Sequence, residues 1–438
     1  EVKAIGKKWG LNAAEIGQVT GSGQLQVFHN GKLEASIPVN LLAEGSPVYN
    51  PEWKEPAYFS ENQRFDYSAV KVPELKQFGE ILLKLLAAPN IASKEPVFRQ
   101  YDYMVRTDTV QGPGGGAALI RVKGTTKAMA IATDCNGRLV YLNPKAGAKW
   151  AVAEAARNVA ITGAKPVAIT NCLNFGNPEK PEIYWQFKNA IEGMAEACLA
   201  LSTPVTGGNV SFYNETEGEA VYPTPVIGML GVLDDVSKKV TPGFKATGDV
   251  IALLGTISGD AVSLAGSEYL ETVHGAVAGC PRDPDLALEK SLVDVLVKAA
   301  SEGLLRSAQD LSEGGLAVAL AESCILAEKG ADGAVIELGG TGCKAVADHR
   351  PDAVLFGECN SAVVVSLAEE DVSRLKEICG ELGVPFGVLG KVSGSSSLRI
   401  ESCMGTAVLD VQVSELRDVW KNGLLRAMAG DTARGTTE

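Results

Sequence analysis

A block near the start of the chain returns near its end, and this duplication limits the possible folds more than any other feature. Ile16-Gly17-Gln18-Val19-Thr20-Gly21-Ser22, followed by Leu25 and Val27, recurs as Leu389-Gly390-Lys391-Val392-Ser393-Gly394-Ser395, followed by Leu398 and Ile400. The spacing holds upstream, where Lys3, Ile5 and Gly10 match Lys376, Ile378 and Gly383. With one inserted residue, Ile37-Pro38-Val39 falls on Val411-Gln412-Val413. Each copy reads as helix end, glycine, strand, Gly-Ser turn, strand, strand. The second copy closes a complete domain, whereas the first has none before it. The expectation is the later half of an internally duplicated protein, whose earlier half is missing.

Between the copies, apolar periodicity alternates between strand and helix. Residues 1–48 read as the remnant of a first-half α/β domain and 49–115 as a connector. Within the connector, Phe78, Ile81, Leu82 and Leu85 share one face of a helix around Glu74–Ala87. Residues 116–236 form one domain, with strands at Ala128–Ala132, Pro166–Thr170 and Thr224–Leu233. Its helices are Trp150–Ile161 and Pro181–Leu201, the latter with proline at its first position. Residues 237–430 form a second α/β unit. It has strands at Val250–Leu254 and Ala362–Leu367, and helices near Leu286–Ala300, Leu316–Glu328 and Asp371–Leu382. The fold class is α/β with mixed sheets.

Three polar runs stand where strands or helices should end: Thr133–Arg138, Asn171–Pro178 and Thr206–Ser211. Ligands of open α/β sheets sit beyond the carboxyl ends of strands, so the three runs suggest one shared pocket for phosphate and a divalent ion. Gly207 and Gly208 permit close backbone approach, and a turn there presents N–H groups to an anion. Asn209 offers an amide oxygen, a hard ligand suited to magnesium. The competing use of each run is a turn stabilised by its own asparagine or aspartate. Asp134 with Asn136 either ligates a metal or opens such a turn. Asp310-Leu311-Ser312-Glu313-Gly314-Gly315 opens a helix, either as an anion site or with Ser312 as a simple cap. No P-loop or Gly-x-Gly-x-x-Gly fingerprint occurs.

Composition excludes other classes. A net charge of −13, from 40 basic and 53 acidic residues, argues against a nucleic-acid surface. No apolar run is long enough to span a membrane. Nine cysteines without a Cys-x-x-Cys pair read as reduced core thiols of a cytoplasmic protein. His29, His274 and His349 lack partners at metal spacing, so a zinc site is not expected.

Taken together, Thr133–Arg138, Asn171–Pro181, Thr206–Glu215 and Asp310–Glu322 resemble the phosphoribosylformylglycinamidine synthases over nearly the whole chain. The run Asn-Cys-Leu-Asn-Phe-Gly-Asn-Pro-Glu-Lys-Pro-Glu with Gly-Gly-Asn-Val-Ser is the specific part. The resemblance implies a small mixed-sheet domain paired with a larger α/β domain, as in aminoimidazole ribonucleotide synthetase. It also implies an ATP- and Mg2+-dependent ligase of purine biosynthesis. That ligase converts formylglycinamide ribonucleotide and glutamine-derived ammonia to the amidine.

Position by position, the resemblance implies ATP contacts at Asn171 and Gly208, a magnesium ligand at Asn209 and a substrate contact at Ser211. Asp134 and Asn136 align with a polar motif near the same cleft. The family's histidine base belongs to the first half, so no catalytic base is assigned. Gly116 and Lys145 depart from the family's usual Asp and Tyr. The small form of such an enzyme works with a separate glutaminase and a small bridging subunit. Two alternatives stay open: a non-catalytic half holding ADP as a scaffold, and a sister synthetase on the same fold.

Overall fold

Strands Val250–Gly255 and Ala362–Leu367, apolar but for Ser366, are buried at every position, as strands between two helical layers must be. They belong to a computed structural model that describes residues 1–339, 350–402 and 406–430; His349 and the polar tail from Asp431 fall outside it. The chain divides into two units, Glu1–Pro51 and the remainder from Glu52.

The first unit holds the helix Val2–Lys8 and an antiparallel hairpin, β1 (Gln24–His29) with β2 (Lys32–Pro38). Its copy of the repeat lacks the strand expected at Ile16–Thr20. Ile16 and Val19 are fully exposed, while their counterparts Leu389 and Val392 are 2% exposed. The second-copy strand Phe386–Ser393 is bonded on both sides, whereas within residues 1–51 no neighbouring strand pairs with 16–19. A strand without ladder partners keeps its amides in water.

In the second unit, one sheet contains β3 (Thr109–Gln111), β4 (Ala118–Arg121), β5 (Ala128–Asp134), β6 (Lys165–Asn174), β7 (Val205–Ser211) and β10 (Thr224–Leu233). A small hairpin, β8 (Glu215–Thr216) with β9 (Glu219–Ala220), precedes β10. The spatial order is β3-β4-β5-β10-β6-β7, antiparallel except for β6 with β7. Ala128, Ala130 and Ala132 line the buried face, and such small side chains let the helices Pro144–Ala160 and Pro181–Leu201 lie close to the sheet. The opposite face stays exposed at Met129, Ile131 and Thr133. The run Thr206–Ser211, expected as a turn, is instead the strand β7, because its backbone pairs with β6 from Val205 to Ser211.

The other sheet has the order β12-β14-β11-β15-β13-β16-β17. Its strands are β11 (Val250–Gly255), β12 (Leu305–Asp310), β13 (Gly333–Leu338), β14 (Ala362–Leu367), β15 (Phe386–Ser393), β16 (Ser397–Ser402) and β17 (Ala407–Gln412). Val250, Ala252 and Leu254 join a core with the helices Pro144–Ala160 and Leu286–Glu302. Ile251 and Leu253 join a second core with the helices Phe78–Ala87, Gly315–Ile325 and Val413–Met428. Helices therefore fill the space between the sheets and cover the far side of the second.

Candidate functional site

β5 and β6 both pair antiparallel with β10, and β7 runs parallel to β6, so these three strands share one direction and the polar runs lie toward their carboxyl ends. Asp134 and Asn171 are each opposite Ile227, and Asn171 is beside Gly208. The side chains then part company. Asn171 faces the helices, its Nδ2 3.3 Å from Met194 Sδ, and its amide fills the space a Cβ on Gly208 would need. Asn209 faces the other way, with Nδ2 3.7 Å from Cys172 Sγ on the exposed side. Ser211 Oγ accepts from Asn214 Nδ2 at 3.2 Å.

The expectation of one pocket shared by all three runs is therefore corrected. Alternation along a strand sends Asn171 and Gly208 to one face and Asn209 and Ser211 to the other. Several amides of these runs serve the local structure. Asn174 Nδ2 donates to Cys172 O and Thr224 O, and Asn177 Oδ1 accepts from Glu179 N at 2.8 Å.

Asp134 instead lines a cavity of about 570 Å³ with Glu154, Asn158, Asp310, Glu313 and Glu322. The loop Pro113–Gly116 and the segment Asn90–Lys94 complete its wall. Glu154 and Asn158 are one turn apart on the helix Pro144–Ala160, so both reach the same side. Asn158 Nδ2 donates to Asp134 Oδ2 at 3.0 Å. Arg157, 1% exposed, donates at 2.6 Å to both Asp310 and Glu289.

Carboxylates outnumber cations here. Burial holds Asp134 well above the usual carboxylate range, and Glu313 and Asp310 add to the effect. Glu154 is raised in the same way, by burial and then by Asp134. Glu322 is pushed up to about 7, mainly by burial. Lys94 is the one basic side chain among the residues lining the cavity, and burial pulls its pKa down. Crowded acids that resist ionisation form a site that a dication would relieve. The oxygen donors of Asp134, Glu154, Asn158 and Asp310 fit magnesium in type. Among the described residues no three His, Cys, Asp or Glu side chains converge as a closed cage. Such an ion would complete its shell with water and phosphate oxygens.

Two expected residues have local duties as well. Asn136 Oδ1 accepts from Arg138 N and Leu139 N, capping the helix Gly137–Leu142, while its Nδ2 lies 3.5 Å from Glu313 Oε1. Ser312 does not cap the next helix: Gly314, at φ +79°, is the capping position. Glu154, Asn158 and Glu313 went unpredicted, although Glu154, Arg157 and Asn158 form a polar stripe on an alanine-rich helix.

Residues 114–233 match the N-terminal domain of AIR synthase related proteins, and residues 246–402 match the C-terminal domain. The chain belongs to the AIR synthase related family. It is 48% identical over 429 residues to phosphoribosylformylglycinamidine synthase subunit PurL of Moorella thermoacetica, covering 98% of this chain and 56% of that protein. To the same subunit of Caldanaerobacter subterraneus it is 46% identical over 421 residues, covering 96% and 55%. The chain thus spans about half the length of the curated relatives it matches. Among solved structures, T. maritima PurL complexed with FGAR superposes with TM-score 0.63 at 18% identity, covering 82% of this chain and 56% of that one. T. maritima PurL complexed with ATP gives 0.58 at 21%, covering 78% and 54%. PurLQS from T. maritima gives 0.60 at 20%, covering 83% and 54%. At such identities these three establish the AIR synthase related fold alone.

Proposed function

We propose that this chain supplies the later half of an ATP- and magnesium-dependent phosphoribosylformylglycinamidine synthase of purine biosynthesis. The observation that carries the reading is the 48% identity to a synthase subunit across 98% of the chain. In the reaction, ATP passes its γ-phosphoryl group to the amide oxygen of formylglycinamide ribonucleotide. Ammonia from glutamine attacks the activated carbon and expels phosphate, leaving the amidine, ADP and glutamate.

The residue roles are those that the family resemblance implies. Asn171 and Gly208 would contact the nucleotide, with the Asn171 amide seated in the space a Gly208 side chain would need. Asn209 would hold magnesium through its amide oxygen, and Ser211 would donate its hydroxyl to the ribonucleotide. Magnesium supplies charge compensation between phosphates. Asn209 lies on the sheet face left exposed at Met129 and Ile131, so a first-half sheet covering that face would close the site. A catalytic base would come with that half. A separate glutaminase, a small bridging subunit and a cytoplasmic setting complete the assembly.

A second reading is favoured by the acidic cavity, which gathers a different donor set from the β6–β7 asparagines. It would hold a magnesium-bound nucleotide, such as ADP, as a structural ligand. The test uses the full-length protein with both partner subunits and follows ADP release. Release should depend on formylglycinamide ribonucleotide and match the amidine one for one. ATP consumption indifferent to that substrate would contradict the assignment.

A further inference from the structure

We infer that Glu358 is a positioning residue that holds the walls of the acidic cavity in register. The inference rests on the reading of that cavity as a magnesium–nucleotide site. Glu358 is 3% exposed and comes from the bend between the helix Pro351–Phe356 and β14. One oxygen, Oε1, accepts two backbone hydrogen bonds at 2.8 Å, from Gly314 N and from Glu268 N. Both amides lie at helix starts, where N–H groups lack intrahelical partners.

Each amide leads to a different wall. Gly314 ends the loop that carries Asp310, Ser312 and Glu313 into the cavity. No side chain within that loop caps the following helix, so Glu358 takes the role from a distant part of the chain. The turn cannot be rebuilt with other residues. Gly315 has φ +64°, and a Cβ there would meet Gly357 O at 2.6 Å.

Glu268 opens the helix Glu268–His274. Its carboxylate pairs with Arg138 at 2.7 Å, with both side chains buried, and accepts from Asn90 Nδ2 at 2.9 Å. Arg138 also pairs with Glu271 and follows Asn136, which reaches Glu313. Asn90 belongs to the segment that forms the cavity's other wall. A single carboxyl oxygen thus ties together the segments 88–94, 134–138 and 310–315. Glu358 is not among the residues that line this cavity, so its effect is on the residues that do.

The proposal makes alanine and glutamine at this position behave differently. Glu358→Gln keeps an acceptor oxygen for both amides, whereas Glu358→Ala leaves two buried N–H groups unpaired. In the full-length protein, titration calorimetry with Mg-ADP should show Glu358→Ala binding roughly 10–100-fold more weakly, the range for lost support around a metal. Glu358→Gln should stay within about threefold of wild type. Leu253→Ala, a cavity mutation in the same domain, serves as a control for lost stability and should leave affinity unchanged. Amide exchange across 310–316 should accelerate in Glu358→Ala only. Wild-type affinity in Glu358→Ala, or an equal loss in Leu253→Ala, would overturn the inference. If the wild-type protein takes up no Mg-ADP, the ligand reading fails. Exchange then decides on Glu358, and unchanged exchange at 310–316 refutes it.

Discussion

Asn171 and Gly208 stand side by side across the parallel pair β6–β7, and the Asn171 amide occupies the volume a side chain on Gly208 would require. Glycine is therefore required by close approach and not by backbone angle. Gly208→Ala should displace the amide, cost about 1–3 kcal/mol of stability and weaken nucleotide binding. Thermal melting and calorimetry check this. An unchanged melting temperature would mean that the amide swings aside freely.

Arg157 is buried between Asp310 and Glu289. Removing one member of such a triad leaves uncompensated charge. Arg157→Met should lower unfolding free energy by about 3–5 kcal/mol in urea titrations. A loss below about 1 kcal/mol would show that the two acids simply take up protons.

Burial, with Glu313 and Asp310 beside it, makes the Asp134 carboxyl resist ionisation, and Arg157 only partly opposes this. Asp134→Asn should therefore leave the metal-free protein as stable as wild type or slightly more so. Saturating Mg-ADP at about one hundred times Kd should add roughly 2.7 kcal/mol to the wild type. The variant should lose most of that gain, and an equal gain in both would move the ion away from Asp134.

Burial raises Glu322 to about 7 and Glu358 to about 8. Glu313 also raises both, opposed by Gln309 and Lys94 at Glu322 and by Arg138 at Glu358. A carboxyl whose folded pKa exceeds its unfolded value, about 4.3, favours the folded state most below that pH. The stabilisation these two carboxyls contribute should be lost as pH rises from about 4.3 through 7 to 8, and then level off. Glu358→Gln removes one such group, so its stability relative to wild type should grow between pH 5 and 9. A constant difference across that range would contradict the raised pKa.

Much of this fold is legible in the residues because period and punctuation agree. Pro181 starts a helix that ends at Leu201, and the run Ala362–Leu367, apolar but for Ser366, is a strand buried on both faces. Two features escape because they depend on distant partners. The Thr206–Ser211 run looks like a turn, with two glycines in succession, but pairing with β6 makes it a strand. The first copy of the repeat looks like a strand at Ile16–Thr20, yet residues 1–51 offer it no ladder.

The site is legible in its chemistry and less so in its geometry. Asparagines 171 and 209 stand one position out of register in aligned strands only after β6 and β7 pair, and that offset sends them to opposite faces. The acidic cavity needs Asp134, Glu154 and Asp310 from three elements, so no local motif announces it. Its local trace is the polar stripe Glu154, Arg157 and Asn158 within an alanine-rich helix.

The most direct test of the account is amidine formation by the full-length enzyme, with its partner subunits, carrying Asn209→Ala or Ser211→Ala. Both side chains sit toward the exposed edge of the sheet with few bonds, so stability should stay within about 0.5 kcal/mol of wild type. The account predicts that turnover falls by roughly 100-fold or more in each, the scale of losing one aligned transition-state contact. Wild-type turnover in both variants would contradict it.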